Sequence, residues 1–202
     1  MKRREFLKGA AIAPAAVAAS QWAHARELLG NPNSRITAVV YDERYADCRI
    51  FAERLARQGA ALFATGADAV RVWYGPLRAH LAQGGGNVAG MTTDSDWGAS
   101  RACGRELGLR TAYEGSHDCR VSHRMIHRLR GSGEEREVYA ALLRDERPWS
   151  EAVAEALSHP RLTERMLSAV AGGGDVTTAK SAGHPGYLTS WLLALGALNP
   201  AP

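Results

Sequence analysis

The sequence predicts an α/β fold: an open, mostly parallel sheet of about four or five strands with helices on both faces, plus a helical C-terminal subregion. Three observations predict it. Short β-branched runs alternate with segments of helical period between residues 35 and 118. One strand–helix unit recurs about every 25 residues, which suits right-handed crossovers in a doubly wound sheet better than a barrel. The composition, 46% hydrophobic and 23% charged over 202 residues, lets the chain bury one core. It excludes collagen-like and disordered chains, and three Cys are too few for a disulfide-stapled miniprotein.

The elements follow in order. Arg26–Ser34, with Asn31-Pro32-Asn33, is a polar leader. Ile36–Tyr41 is a β-branched run ending in Asp42-Glu43, as buried parallel strands do. Tyr45–Gln58 carries apolar residues at 48, 51, 52 and 55, a helical face closed by Gly59. Ala60–Ala64 is a second strand, and Ala69–Gln83 a helix broken at Gly75-Pro76. Val88–Thr92 is the third strand, Thr93-Asp94-Ser95 an N-cap, Asp96–Leu107 a helix and Leu109–Tyr113 a fourth strand. Val121–Leu129 fits strand or helix equally. Glu134–Asp145, Ser150–Leu157 and Leu162–Val170 read as helices, punctuated by Gly131-Ser132-Gly133, Pro148, Pro160 and Gly172-Gly173-Gly174. Tyr187–Leu198 is the most apolar segment beyond residue 25 and reads as a packed terminal helix. Residues 26–202 are expected to form one domain, with the sheet in 35–118 and the helical part in 132–202.

Residues 1–25 read MKRREFLKGAAIAPAAVAASQWAHA: a basic start, an apolar Ala-rich stretch and an A-x-A pattern at Ala23-His24-Ala25. Arg3-Arg4-Glu5-Phe6-Leu7-Lys8 resembles the twin-arginine consensus of bacterial export signals, with Lys2 where that family has Ser or Thr. The resemblance implies cleavage after Ala25, a periplasmic destination, and the twin-arginine translocase and signal peptidase as partners. It also implies passage in the folded state, often with an inserted cofactor or a companion subunit. The sequence itself assigns no cofactor. Residues 1–25 carry four of the 25 basic residues and one of the 21 acidic ones, leaving 21 against 20. The remaining Arg are scattered, so no nucleic-acid partner is expected. No apolar run there reaches the roughly 18–20 residues of a membrane span.

In open parallel sheets, ligands bind outside the carboxyl ends of the strands. The four post-strand segments are Asp42-Glu43-Arg44, Thr65-Gly66-Ala67-Asp68, Thr92–Asp96 and Glu114–Asp118. One rim would gather Asp42, Arg44, Asp68, Asp94, Asp96 and Asp118 with His117, and Trp97 would wall the pocket. Clustered carboxylates repel unless a cation, an amine or Arg44 compensates them. Capping of helix starts explains Asp68, Asp94 and Ser95 equally well. His117, His123 and His127 form a weaker metal candidate, opposed by Arg120, Arg124, Arg128 and Arg130. Cys48 and Cys103 fall on helix faces as small buried hydrophobes, whereas Cys119 follows His117 closely enough to suggest a nucleophile.

No phosphate-binding G-x-x-x-x-G-K-[ST], no G-x-G-x-x-G after a strand and no G-x-S-x-G elbow is present, which disfavours nucleotide use. Val88–Thr92, Asp94-Ser95-Asp96-Trp97-Gly98 and Gly108-Leu109 resemble one lobe of the periplasmic solute-binding proteins, a likeness of architecture. That family has two lobes, and this chain supplies one. Three classes of function stand open. One is a binding or accessory protein using the strand-end rim. Another is an accessory subunit of an exported redox enzyme, docked through an apolar patch such as Tyr187–Leu198. The third is a metal-dependent hydrolase using Asp42, Asp94, Asp118 and His117.

Overall fold

A computed structural model describes residues 35–66, 68–120, 124–131, 143, 146–158 and 172–195. The elements are β1 (Ile36–Tyr41), α1 (Ala46–Ala56), β2 (Ala61–Ala64), α2 (Ala69–Val72), α3 (Arg78–Gly84), β3 (Asn87–Thr92), α4 (Asp94–Glu106), β4 (Leu109–Asp118), β5 (Arg124–Gly131), α5 (Trp149–Ser158), β6 (Gly172–Ala179) and β7 (Tyr187–Leu195). A π-helical turn, Trp73–Leu77, joins α2 to α3 around the expected Gly75-Pro76 break.

The chain is α/β, but its sheet is larger than expected and mixed. Seven strands lie in the order β2-β1-β3-β7-β4-β5-β6. Only β1 with β2 and β1 with β3 pair in parallel; the other four pairings are antiparallel. The sheet does not end at residue 118, because β5, β6 and β7 continue it. Val121–Leu129 is strand from Arg124 onward, and residues 121–123 lie outside the described residues. The expected helices 134–145 and 162–170 lie outside them too, apart from the helical and buried Leu143.

The largest correction concerns Tyr187–Leu198, expected as a terminal helix. It forms β7 over Tyr187–Leu195, inserted between β3 and β4 at the centre of the sheet. The physical reason is burial on both faces. Leu188 and Leu192 pack with α1 and α5, whereas Trp191 and Leu193 pack with α4 and the turn after α2. Such a strand has no polar face to show its two-residue period, so its sequence matches a buried helix.

Helices thus cover both faces. Phe51, Ala52 and Leu55 of α1 and Trp149, Val153 and Leu157 of α5 pack on one. Trp73, Leu77, Trp97 and Cys103 pack on the other. Salt bridges tie α1 to α5 through Arg54–Glu155 and Arg57–Glu151. Among the described residues no helix is long and apolar enough to cross a membrane.

One irregularity decides what faces what. The register of β4 against β7 slips between Thr111, opposite Leu193, and Tyr113, opposite Leu192. A bulge at Ala112 therefore turns the remainder of β4 over. Leu109 packs beneath α4, whereas Tyr113 packs beneath α1 and α5.

Candidate functional site

The strands build a rim despite the mixed pairing. β7 runs antiparallel to both β3 and β4, so β4 points the same way as β1, β2 and β3. The carboxyl ends of all four therefore lie at one edge. Asp42 just beyond β1 and Asp118 at the end of β4 carry the same device, Asp-x-Arg. Arg44 donates from its backbone N–H and Nε to Asp42 Oδ1 (3.1 and 2.9 Å) and from Nη2 to Oδ2 (2.6 Å). Arg120 repeats the set on Asp118 at 2.9, 3.0 and 2.9 Å. The charge-assisted bonds from Arg120 hold the Asp118 carboxyl down at about 2. Both guanidiniums stay largely open to solvent, at 56% and 61% exposure, over the buried Asp42 and Asp118. Arg44 also lies over the Tyr45 ring and Arg120 over Tyr187.

Asp68 accepts from the Arg71 N–H at 3.0 Å and caps α2, as the capping reading of that residue expects. Thr93 Oγ1 caps α4 through the Asp96 N–H (3.4 Å), leaving Asp94 and Asp96 in the first turn. The half-buried Asp96 carboxyl is pushed up, first by burial and then by Asp42 and Asp68, against Thr93 and Arg44. These are the neighbours expected of one rim, and Asp94 likewise acts on Arg120. Trp97 does not wall the pocket. It is buried and stacks on Trp191 with ring centroids 5.2 Å apart.

His117 is not a loop residue. It lies inside β4, which runs five residues beyond the expected strand end at Tyr113. Alternation and the Ala112 bulge place it on the α1/α5 face, whereas Asp118 turns toward α4. The grouping of His117 with Asp42, Asp94 and Asp118 is therefore split by the sheet. His117 instead joins a buried line of hydrogen bonds across four strands. Tyr113 Oη meets Ser190 Oγ at 3.0 Å, Ser190 Oγ meets His117 Nε2 at 2.7 Å, His117 Nδ1 meets His127 Nδ1 at 2.6 Å, and His127 Nε2 meets Thr178 Oγ1 at 2.8 Å. Gly115 makes room for it, because a Cβ there would lie 2.2 Å from the Tyr113 hydroxyl. The indole of Trp149 covers both imidazoles, with centroids 4.4 and 5.0 Å away. Its Nε1–H donates to Ser181 Oγ at 2.8 Å. Burial holds His117 well below the ordinary histidine range, with His127 and His184 adding to the effect. His127 is held down at about 3, again by burial first.

Cys119 pairs with His184, not with His117: its Sγ lies 3.3 Å from His184 Nδ1, which also accepts the Gly186 N–H at 3.0 Å. Burial and Lys180 hold His184 at about 4, so its imidazole is neutral in this contact at neutral pH. All three cysteines are free and buried. Among the described residues no set of three or more His, Cys, Asp or Glu is placed to hold a metal ion. His123 of the metal candidate lies outside the described residues, as do Arg3, Arg4 and Ala25.

Sequence reasoning missed Tyr113, Trp149, Thr178, His184 and Ser190. The bonds that recruit Tyr113, Thr178, His184 and Ser190 span 51 to 77 residues and that of Trp149 spans 32, and no spacing rule reaches that far. Compared with known proteins, the chain matches no family model, no curated protein and no solved structure.

Proposed function

We propose that this chain is an exported periplasmic binding or accessory protein that takes a small polar ligand or a partner at the strand-end rim. One observation supports it above the others: β1–β4 run in one direction, so Asp42, Arg44, Asp68, Asp94, Asp96 and Asp118 share an edge. In open sheets that edge is where ligands bind. Each Asp-x-Arg fork holds a guanidinium whose Nη1 is free of its Asp and available to an acceptor, while Asp94 and Asp96 offer acceptors beside it. The patch suggested for the subunit reading is buried over Leu188–Ala194 at the centre of the sheet, which favours the rim over it. The hydrolase reading loses its constellation, because His117 faces away from Asp118.

The test is native mass spectrometry of protein recovered from the exported fraction. An extra mass or a partner is expected on the wild type and is lost from the double variant Arg44→Ala, Arg120→Ala. A bare wild type, or a companion retained by the double variant, would sink the proposal. The same spectra report export, with a mature chain beginning at Arg26 and none formed from Arg3→Lys, Arg4→Lys.

A further inference from the structure

The rim is built as two halves of like composition. In one, Arg44 forks onto Asp42 and lies over the Tyr45 ring; in the other, Arg120 forks onto Asp118 and lies over the Tyr187 ring. The first turn of α4 adds one carboxylate to each half. Asp96 and Arg44 act on each other, and Asp94 acts on Arg120. Yet neither of these carboxylates makes an ion pair or a hydrogen bond with its guanidinium, whose ion pair is with Asp42 or Asp118. An acid and a base therefore stand near each other but apart in each half.

Each half also holds a buried hydroxyl with no partner. Thr65 follows β2 level with Asp42, since its N–H donates to the Tyr41 carbonyl at 2.9 Å. Thr189 of β7 stands opposite Thr92 on one side and Ser116 on the other, close to the end of β4. Alternation puts both on the face of the sheet that carries Asp42, Asp118 and α4, so both point to the side where Asp94 and Asp96 stand. Thr65 is 3% exposed and Thr189 2%, and the Oγ1 of each lacks a hydrogen bond, a costly state for a buried hydroxyl. Neither caps a helix, so the capping that accounts for Asp68 and Thr93 does not account for them.

We propose that the rim takes one elongated molecule with an α-amino-acid head at each end, one head in each half. This rests on the rim reading above and names its ligand class. In each half the carboxylate of the head accepts from the open Nη1 of the guanidinium. The ammonium donates to the α4 carboxylate and to the threonine hydroxyl. Opposite charges held side by side on the protein match opposite charges side by side on the ligand. A bare anion would meet Asp94 and Asp96, a bare cation would meet Arg44 and Arg120, and a neutral sugar would leave the half-buried Asp96 without a cation. Two halves call for two heads. Asp42 and Asp118 stand at the ends of β1 and β4, three strand spacings or roughly 14 Å apart, and α4 leaves β3 between them. Joining two heads makes the second contact intramolecular, so a molecule of matching length binds more tightly than either head alone.

Chemical-shift titration of the mature chain tests it, with norleucine as a single head and 2,6-diaminopimelate, 2,7-diaminosuberate and 2,9-diaminodecanedioate as double heads. Norleucine should move the amides of both 42–44 and 118–120. In Asp96→Asn it should move only 118–120, and in Asp94→Asn only 42–44. The best-fitting double head should bind at least tenfold more tightly than norleucine, one molecule per chain, and either Asn variant should remove that gain. Thr65→Val and Thr189→Val should each weaken the double head at least threefold with Tm unchanged or raised, because valine removes an unpaired hydroxyl. Norleucine moving only one half, no double head gaining tenfold, or undiminished binding in the threonine variants would each overturn the proposal. So would a threonine variant that melts lower, since its hydroxyl would then be bonded within the fold. A companion mass lost from Arg44→Ala, Arg120→Ala, together with no response to norleucine, would overturn the ligand class and leave the rim reading standing.

Discussion

Gly90→Ala is expected to destabilise the protein through a single collision at the centre of the sheet. A Cβ on Gly90 would lie 2.1 Å from Cζ2 and 2.3 Å from Cε2 of the Trp191 ring. That ring cannot retreat, because Trp97 and Trp73 stack on it with centroids at 5.2 and 6.4 Å. Its Nε1–H is also held by Thr92 Oγ1 at 3.2 Å. Overpacking of this kind costs about 1–3 kcal/mol, and loss of the buried indole hydrogen bond adds about 1 kcal/mol. At about 2–4 °C per kcal/mol for a domain of this size, Tm should fall by roughly 5–15 °C. Thermal unfolding followed by near-ultraviolet circular dichroism reads both the melting and the tryptophan packing. Gly90→Ala combined with Trp191→Leu should cost less than the two single changes together, because the smaller side chain vacates the contested space. A Gly90→Ala protein melting within about 1 °C of wild type, or a strictly additive double variant, would refute the reasoning.

Acid should weaken the fold before carboxylates titrate. His127 is held at about 3 against an ordinary value of about 6.5, so its contribution is complete above that value and is lost as pH falls through the window between them. At pH 5 the loss from His127 is about 2 kcal/mol, or about 1 M in the urea midpoint, with His117 acting in the same direction. Equal midpoints at pH 7 and pH 5 would contradict this. Arg120→Ala should let the Asp118 carboxyl rise from about 2 toward the ordinary range, read by carboxyl carbon shifts on titration; an unmoved carboxyl would contradict the fork. Gly115→Ala should drive the Tyr113 hydroxyl off Ser190 and cost about 1–3 kcal/mol in urea unfolding, whereas a neutral change would place that hydroxyl elsewhere.

The first half of the fold is legible because each signal is local. Ile36–Tyr41, the apolar face at Cys48, Phe51, Ala52 and Leu55, and the Gly75-Pro76 break all appear where their own residues put them. The rim is legible for the same reason: strand ends and helix starts carry short-range capping and turn chemistry. Trp97 shows the limit, since its place in the first turn of α4 suits a pocket wall or a core stack, and only Trp191 decides between them. β7 was illegible because burial on both faces erases its period. The histidine line was illegible because the Ala112 bulge turns β4 over, and a bulge leaves no mark in composition. The sequence groups His127 with His117 and His123 only as a metal candidate, and the partners of the pair, Ser190 and Thr178, come from other strands.

A ligand footprint on the exported protein tests the central claim most directly. Hydrogen exchange would be compared before and after the bound material is stripped by unfolding and refolding. Stripping should lower protection at 42–44, 92–96 and 118–120, the ends of β1, β3 and β4, and leave the opposite edge at 85–87 and 107–109 unchanged. Identical exchange at those strand ends, or a change confined to the opposite edge, would contradict the account.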